Sequence, residues 1–366
     1  MSEYKISLPR PKLPKKFAKS PAKYLRKKVI DVVENMGILT TENREEYLQR
    51  IDHEIAVFER CGYIYYLLGV SELIDTMELS SISYIAGRGV YSASLVFYCL
   101  SITNIDPIKH DLMFARFMPA DKPKFIELEL LIGYVDKRLV KQLGRRIMRG
   151  GRACKHSVKL ICSPVVELIN KTVQKIGFHK RSRLFDWGNT CFLNEAFRDD
   201  DVYDFLSMNI GERKSMAGVF GFEMCGCKNV IFKENGSFGD LVRLCAINRP
   251  GSYEMFCGND SRYCFQEEIM RDAMACGFSE NEVDELRRAV GRKQVTKLEK
   301  YRSGWVVKYG EASWQTMTEQ GLWSYPKAHA IVLAYLAYIT AYLKLHFPEE
   351  YNRSALCVAA SEDCQP

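Results

Sequence analysis

A helix-rich α+β fold with a small mixed sheet is what the sequence predicts, and three patterns carry that prediction. Apolar residues recur at helical spacing between Pro21 and Leu73. Phe125–Leu130 alternates apolar and acidic residues with the period of a strand, and Val158–Cys162 is a short apolar strand candidate. Beyond Asp199 the periodicity is mainly helical. The order is helices, then a mixed middle, then a helical C-terminal half.

Residues 1–22 are rich in Pro and Lys and read as an extended, flexible basic tail. Tyr24, Val29, Val32 and Val33 mark a first helix, and Tyr47, Ile51, Ile55 and Phe58 a second. Asn43 with Glu46 has the spacing of a capping pair for the second. Ala86-Gly87-Arg88-Gly89 is a glycine-punctuated turn, followed by an apolar helix over Ser92–Leu100. Asp106-Pro107 breaks the chain, a short helix resumes over Leu112–Met118, and Leu139–Met148 is a basic helix. Leu184–Trp187 is a further strand candidate. The later helices are expected at Val202–Met208, Phe238–Ile247, Cys264–Ala275, Glu280–Ala289, Thr296–Tyr309, Glu311–Gln320 and Lys327–His346.

The chain of 366 residues has room for two or three domains, and 47% hydrophobic with 27% charged residues excludes wholesale disorder. Its net charge of +7 is concentrated in two clusters. One is Lys12, Lys15, Lys16, Lys19, Lys23, Arg26, Lys27 and Lys28; the other runs from Lys137 to Lys155. Both suit phosphate backbones, or else are solvated helix faces. The 13 cysteines show no CxxC, and Cys225 and Cys227 stand too close for zinc-finger spacing, so reduced thiols in a cytoplasmic protein are expected. Ala328–Leu345 is apolar but contains His329 and Lys344, and reads as a buried helix, not a membrane span.

Side chains two apart on a strand share a face, so Glu127 and Glu129 are a candidate carboxylate pair; the alternative is the solvent face of an amphipathic strand. Gly87 and Gly89 permit close approach of backbone amides to phosphate, with the positive end of the next helix behind them; the alternative is a turn capping a core helix. Arg287, Arg288, Arg292 and Lys293 form a compact cationic cluster beside Gly291, suited to a triphosphate or a template strand, or else an exposed basic helix end.

Several segments, in order, resemble the α-subunit family of bacterial DNA polymerase III. Gly87-Arg88-Gly89 with Ser94-Leu95-Val96 and Ile102–Pro107 is similar to its glycine-serine loop and the following segment. Leu112–Phe117 resembles its Leu-Leu-Phe-Glu-Arg-Phe. Ala153-Cys154-Lys155-His156 with Leu160–Pro164 resembles its Ala-Gly-Lys-His and Val-Val-Ile-Ala-Pro. Ala246–Gly251, Phe265–Met270, Leu286–Lys293, Tyr325–Ala330 and Phe347–Tyr351 complete a collinear set across residues 24–352.

The resemblance implies a nucleotidyltransferase-like palm over 23–200, with a helical lead-in and reduced thumb, an all-helical fingers-like domain over 201–352, and a flexible tail over 353–366. It leaves the family's N-terminal metallophosphatase-like domain and its C-terminal clamp-binding and nucleic-acid-binding modules without counterpart in these residues. It also implies site residues. Glu127 and Glu129 fall on the last two acids of the family's Pro-Asp-Ile-Asp-Ile-Asp-Phe, and Asp186 falls near its third catalytic aspartate. Together these would hold two Mg²⁺ or Mn²⁺ ions. Gly87, Arg88, Gly89 and Ser92, with Arg287, Arg288, Arg292, Lys293, Lys327 and His329, would hold phosphates, and Lys155 and His156 would lie near the active centre.

Two departures stand out. Glutamate adds a methylene, moving each carboxylate by about 1 Å, and a misplacement of that size costs on the order of 100-fold in rate. Val90 and Tyr91 follow the second glycine where the family has small residues and a serine, so tyrosine bulk is expected where a triphosphate would lie. Two functions therefore stand side by side. One is a minimal polymerase core binding primer-template DNA and deoxynucleoside triphosphates, working with replication proteins and away from membranes. The other is a non-catalytic DNA- or nucleotide-binding accessory derived from a polymerase.

Overall fold

A computed structural model describes residues 2–119, 123–135, 137–148, 153–177, 199–210, 212–223, 236–256 and 262–363. The chain forms two compact units: Met1–Asp111, Pro123–Ala196 and His346–Pro366 make the first, and Leu112–Lys122 and Phe197–Leu345 the second. The architecture is the helix-rich α+β fold that the sequence predicts, with one small mixed sheet.

The first unit is built on that sheet. Its strands are β1 (Glu3–Pro9), β2 (Tyr84–Ala86), β3 (Glu129–Ile132) and β4 (Ala153–Cys162), in the order β1-β4-β3-β2. The β4–β3 pair is parallel and the two outer pairs are antiparallel. Strand alternation sorts the side chains. Ile6, Leu8, Leu128, Leu130, Ile132, Val158 and Leu160 are all buried on one face. On the other, the register aligns Lys5, Lys159 and Glu129 across three strands, with Ser7 opposite Ser157.

Three helices come first: α1 (Pro21–Asn35), α2 (Arg44–Arg60) and α3 (Ile64–Leu79). Helix α3 packs on β1 and β4 and buries most of its length, including Leu67, Leu68, Val70, Leu73 and Ile74. Helices α4 (Leu95–Cys99), α6 (Lys137–Ile147) and α7 (Pro164–Ile176) complete this part of the unit; α5 (Phe114–Phe117) belongs to the second unit.

Four expectations need correction. Residues 3–9 are not a free tail: they form the edge strand β1, hydrogen-bonded along β4. The strand expected from Phe125 enters the ladder only at Glu129; before it, the backbone of Ile126 and Leu128 bonds to the hydroxyls of Tyr63 and Tyr66. Asn43 and Glu46 make no capping pair; the Asn43 side chain instead accepts from Thr40 N at 2.6 Å, and Thr40 Oγ1 accepts from Asn43 N at 3.2 Å. Residues 353–363 are helical, since the last helix, Pro348–Asp363, packs on α7 and buries Tyr351, Ser354 and Val358. The strand candidate Leu184–Trp187 lies outside the described residues.

Among its described residues the second unit is helical, with no strand beyond an isolated bridge between Phe265 and Tyr325. After α5, its helices are α8 (Asp200–Asn209), α9 (Arg213–Met216), α10 (Phe238–Ile247), α11 (Ser252–Phe256), α12 (Gln266–Ala275), α13 (Glu280–Gly291), α14 (Val295–Tyr309), α15 (Glu311–Gln320) and α16 (Lys327–His346). A core of Tyr263, Ile269, Met270, Leu286, Tyr301, Trp305, Trp314 and Met317 joins α12 to α15. Helix α16 is long and apolar enough to cross a membrane by length and composition alone, yet Ala328, Ile331, Ala334, Leu336, Tyr338 and Thr340 are buried within the protein.

Candidate functional site

In the first unit Glu127 and Glu129 lie on the polar side of the sheet, and each is met by a cation from this chain. Both carboxylate oxygens of Glu129 accept from one guanidinium: Arg88 Nε reaches Oε2 at 2.9 Å and Nη2 reaches Oε1 at 2.7 Å. That two-pronged bond, followed by the charges of Arg88 and Lys159, holds Glu129 below the usual carboxylate range. Glu127 accepts from the Ser157 hydroxyl and from Ser157 N at 3.3 Å, and Lys5 Nζ stands 3.4 Å away. The serine hydroxyl first, then Lys5, likewise lowers its pKa.

Glycine is what brings Arg88 there. Gly87 N donates to Glu129 O at 2.8 Å, and a Cβ on Gly87 would stand 2.7 Å from that same oxygen. The first glycine of the loop thus lets the backbone lie against β3 and delivers the next residue to Glu129.

The rest of the loop turns inward. Ser92 is fully buried and its hydroxyl shares a hydrogen bond with Thr103 Oγ1 at 2.9 Å. Tyr91 is fully buried too, with its hydroxyl 3.4 Å from Glu127 O, so its bulk fills the core instead of covering the loop. The amides at the start of α4 are also occupied. Buried Glu54 accepts from Leu95 N at 2.9 Å, Val96 N at 3.0 Å and Ser94 Oγ at 2.6 Å, and Arg50 Nε supplies its countercharge at 2.7 Å. The expected positive helix end therefore faces a resident carboxylate, not a free anion site.

His156 is held by aromatic rings. Its ring stacks on Phe125 at 3.7 Å between centroids and meets the edge of Tyr66, within an aromatic cluster that includes Tyr63. The side chain of Lys155 and the whole of Asp186 lie outside the described residues, as do Cys225 and Cys227. The described cysteines are free thiols.

The second unit has its own constellation. Asp284 accepts from Arg287 at 2.5 Å and forms an ion pair with Arg288 at 2.8 Å, so one aspartate compensates both. Arg287 Nη1 and Arg116 Nε both donate to Gln266 Oε1 at 3.0 Å. Burial, and then the charge of Arg287, lowers Arg116 to about 10. Buried Glu267 accepts from Lys327 N at 2.8 Å, and its pKa is raised by burial. Arg292 and Lys293 are exposed, whereas His329 is half-buried beside Tyr325, with burial lowering its pKa. Arg249 fixes a loop by donating to Ala246 O and Trp323 O and lying over the Tyr325 ring.

Lys5, Glu54, Ser157, Arg116, Gln266, Glu267 and Asp284 thus carry the contacts, yet no role was readable for them beforehand. Asp284 and Glu54 gave a signal, Asp284 standing three and four residues before Arg287 and Arg288 on one helix and Glu54 four residues after Arg50 on another.

A family model for the bacterial DNA polymerase III alpha NTPase domain matches residues 23–128, a stretch holding most of α1, α2 to α5, the glycine loop and Glu127. The DNA polymerase III subunit alpha of Thermotoga maritima is 25% identical over 391 residues, covering 84% of this chain and 46% of the relative. That of Halalkalibacterium halodurans is 24% identical over 496 residues, covering 94% and 44%. The chain is similar to the bacterial DNA polymerase III alpha family over most of its length, at low identity. It spans less than half the length of these family members.

A two-metal centre needs carboxylate oxygens free to bind divalent ions. The described donor set does not fit. Both oxygens of Glu129 are committed to Arg88, Oε1 of Glu127 is committed to Ser157 and Lys5, and no cluster of three His, Cys, Asp or Glu placed to hold a metal occurs among the described residues.

Proposed function

We propose that this chain is a polymerase-derived DNA-binding protein, with a palm-like first unit and a fingers-like second unit, in which resident cations have replaced two-metal phosphoryl transfer. The observation that carries this reading is the two-pronged Arg88–Glu129 ion pair, formed by the glycine loop itself. A loop whose backbone is closed onto β3 and whose serines are buried serves to hold the sheet, not to cradle a triphosphate. Retained surface cations, including Arg292 and Lys293, remain for DNA phosphates.

A second reading, template-directed extension by deoxynucleotide transfer, is favoured by one feature: both glutamates present partly exposed carboxylates on the polar side of the sheet. A primed template with all four deoxynucleoside triphosphates and Mg²⁺ or Mn²⁺ separates the two. The expected result is DNA binding in EDTA and no incorporation with either metal. Template-dependent extension that disappears in Glu127→Ala would establish the second reading in place of the first.

A further inference from the structure

We infer that helix α6 is a docking face for the phosphate backbone of duplex DNA, read without sequence preference. The inference rests on the DNA-binding part of the function proposed above and names the surface responsible.

The helix is anchored on one side only. Val140, Leu143 and Ile147 are buried, and α6 packs on α3 and β1. Its other side exposes Lys137, Arg138, Lys141, Gln142, Arg145 and Arg146. No acidic residue occurs between Lys137 and Ile147. On α1, by contrast, three cations are compensated: Arg26 pairs with Asp52, Lys27 with Asp31 and Lys28 with Asp75. Lys137, Lys141 and Arg145 have no acidic partner among the described residues. Successive members of that row are four residues apart, or about 6 Å along the helix. Uncompensated charge kept at this density costs self-repulsion, which an anionic partner relieves.

The chemistry of the face selects the partner. An amphipathic helix binds a lipid surface by inserting its apolar side, and here that side is already buried inside the protein. Single strands are gripped by stacking on aromatic rings, and no aromatic residue stands on α6. A row of point charges on a rigid helix suits the regular backbone of a duplex.

The test is binding of the full-length chain to a fluorescently labelled duplex in EDTA, followed by anisotropy across a range of KCl concentrations. It compares wild type with the combined Lys137→Gln, Lys141→Gln and Arg145→Gln variant, whose exposed, helix-compatible substitutions preserve folding, as checked by circular dichroism. The expected result is affinity weaker by about tenfold or more and a log K–log[salt] slope shallower by about 2 to 3. Wild-type binding with an unchanged slope in the variant would overturn the assignment to α6 and leave the DNA-binding function standing. Absence of any wild-type binding would overturn both. Binding to phosphatidylserine vesicles through the same three residues, without duplex binding, would overturn the choice of partner.

Discussion

At the scale of single residues, the Arg88–Glu129 pair makes a definite pH prediction. The folded pKa of Glu129 lies below its unfolded value, which is about 4.3 for a glutamate. Its stabilisation is therefore complete above that unfolded value and is lost as pH falls through the folded pKa. Arg88 is half exposed, so the contribution is small, about 1 kcal/mol or less. The expected outcome for Glu129→Gln is a urea midpoint lower than wild type at neutral pH, with the two curves converging on acidification. A gap that persists unchanged in acid would mean that the charge of Glu129 is not what Arg88 recognises. Gly87 yields a larger effect. A methyl group there meets the backbone of Glu129, which has no flexible end to move aside, so Gly87→Ala should cost about 1–3 kcal/mol in urea unfolding. A neutral substitution would show that the close contact between loop and strand is dispensable.

At the scale of elements, the stretch before β3 is held by two tyrosines, Tyr63 at the N-cap of α3 and Tyr66 within it. The Tyr63 hydroxyl donates to Ile126 O and accepts from Ile126 N at 2.7 Å, while Tyr66 donates to Ser157 O at 2.9 Å and accepts from Leu128 N at 2.9 Å. Both rings are buried, so removing either hydroxyl leaves backbone groups unsatisfied out of reach of water. Tyr63→Phe and Tyr66→Phe should each cost about 1–3 kcal/mol, measured as shifts in the urea midpoint. A loss near zero in both would mean that the segment keeps its path without them. This arrangement marks the limit of what sequence can tell. Helix positions such as Phe238–Ile247, Glu311–Gln320 and Lys327–His346 were readable because each carries its own periodicity between clear ends. The length of β3 was not, because alternation in Phe125–Leu130 says which residues share a face, not whether a neighbouring strand runs alongside. Strand β1 was hidden for a similar reason: Pro9, Pro11 and Pro14 signal a loop, while its pairing depends on β4, some 150 residues away. Glu127 and Glu129 were legible as a pair, but their partners Lys5, Arg88 and Ser157 come from three separate segments that only the fold brings together.

At the scale of the whole molecule, the same compensation can be tested without choosing any single ligand in advance. A protein with a site for divalent ions gains stability on loading, about 2.7 kcal/mol when the free ion is at 100 times its dissociation constant. For a folded unit of some 200 residues, each kcal/mol raises the melting temperature by about 2–4 °C, so such a site announces itself as a rise of about 5–10 °C. In this chain a divalent ion held by both acids would have to displace Arg88 from Glu129, and Lys5 and the Ser157 hydroxyl from Oε1 of Glu127. Those displaced groups set their own charge and hydrogen bonds against the ion. The prediction is that about 10 mM MgCl₂ shifts the melting temperature by less than about 1 °C relative to KCl of equal ionic strength. Arg88→Ala removes the competing cation and should make the Mg²⁺-dependent shift larger than in wild type, even though the variant melts lower without metal. Because the measurement reads every residue of the chain, Asp186 included, a rise of several degrees in the wild type would mean that the resident cations yield to metal and that the acid pair remains a divalent-ion centre.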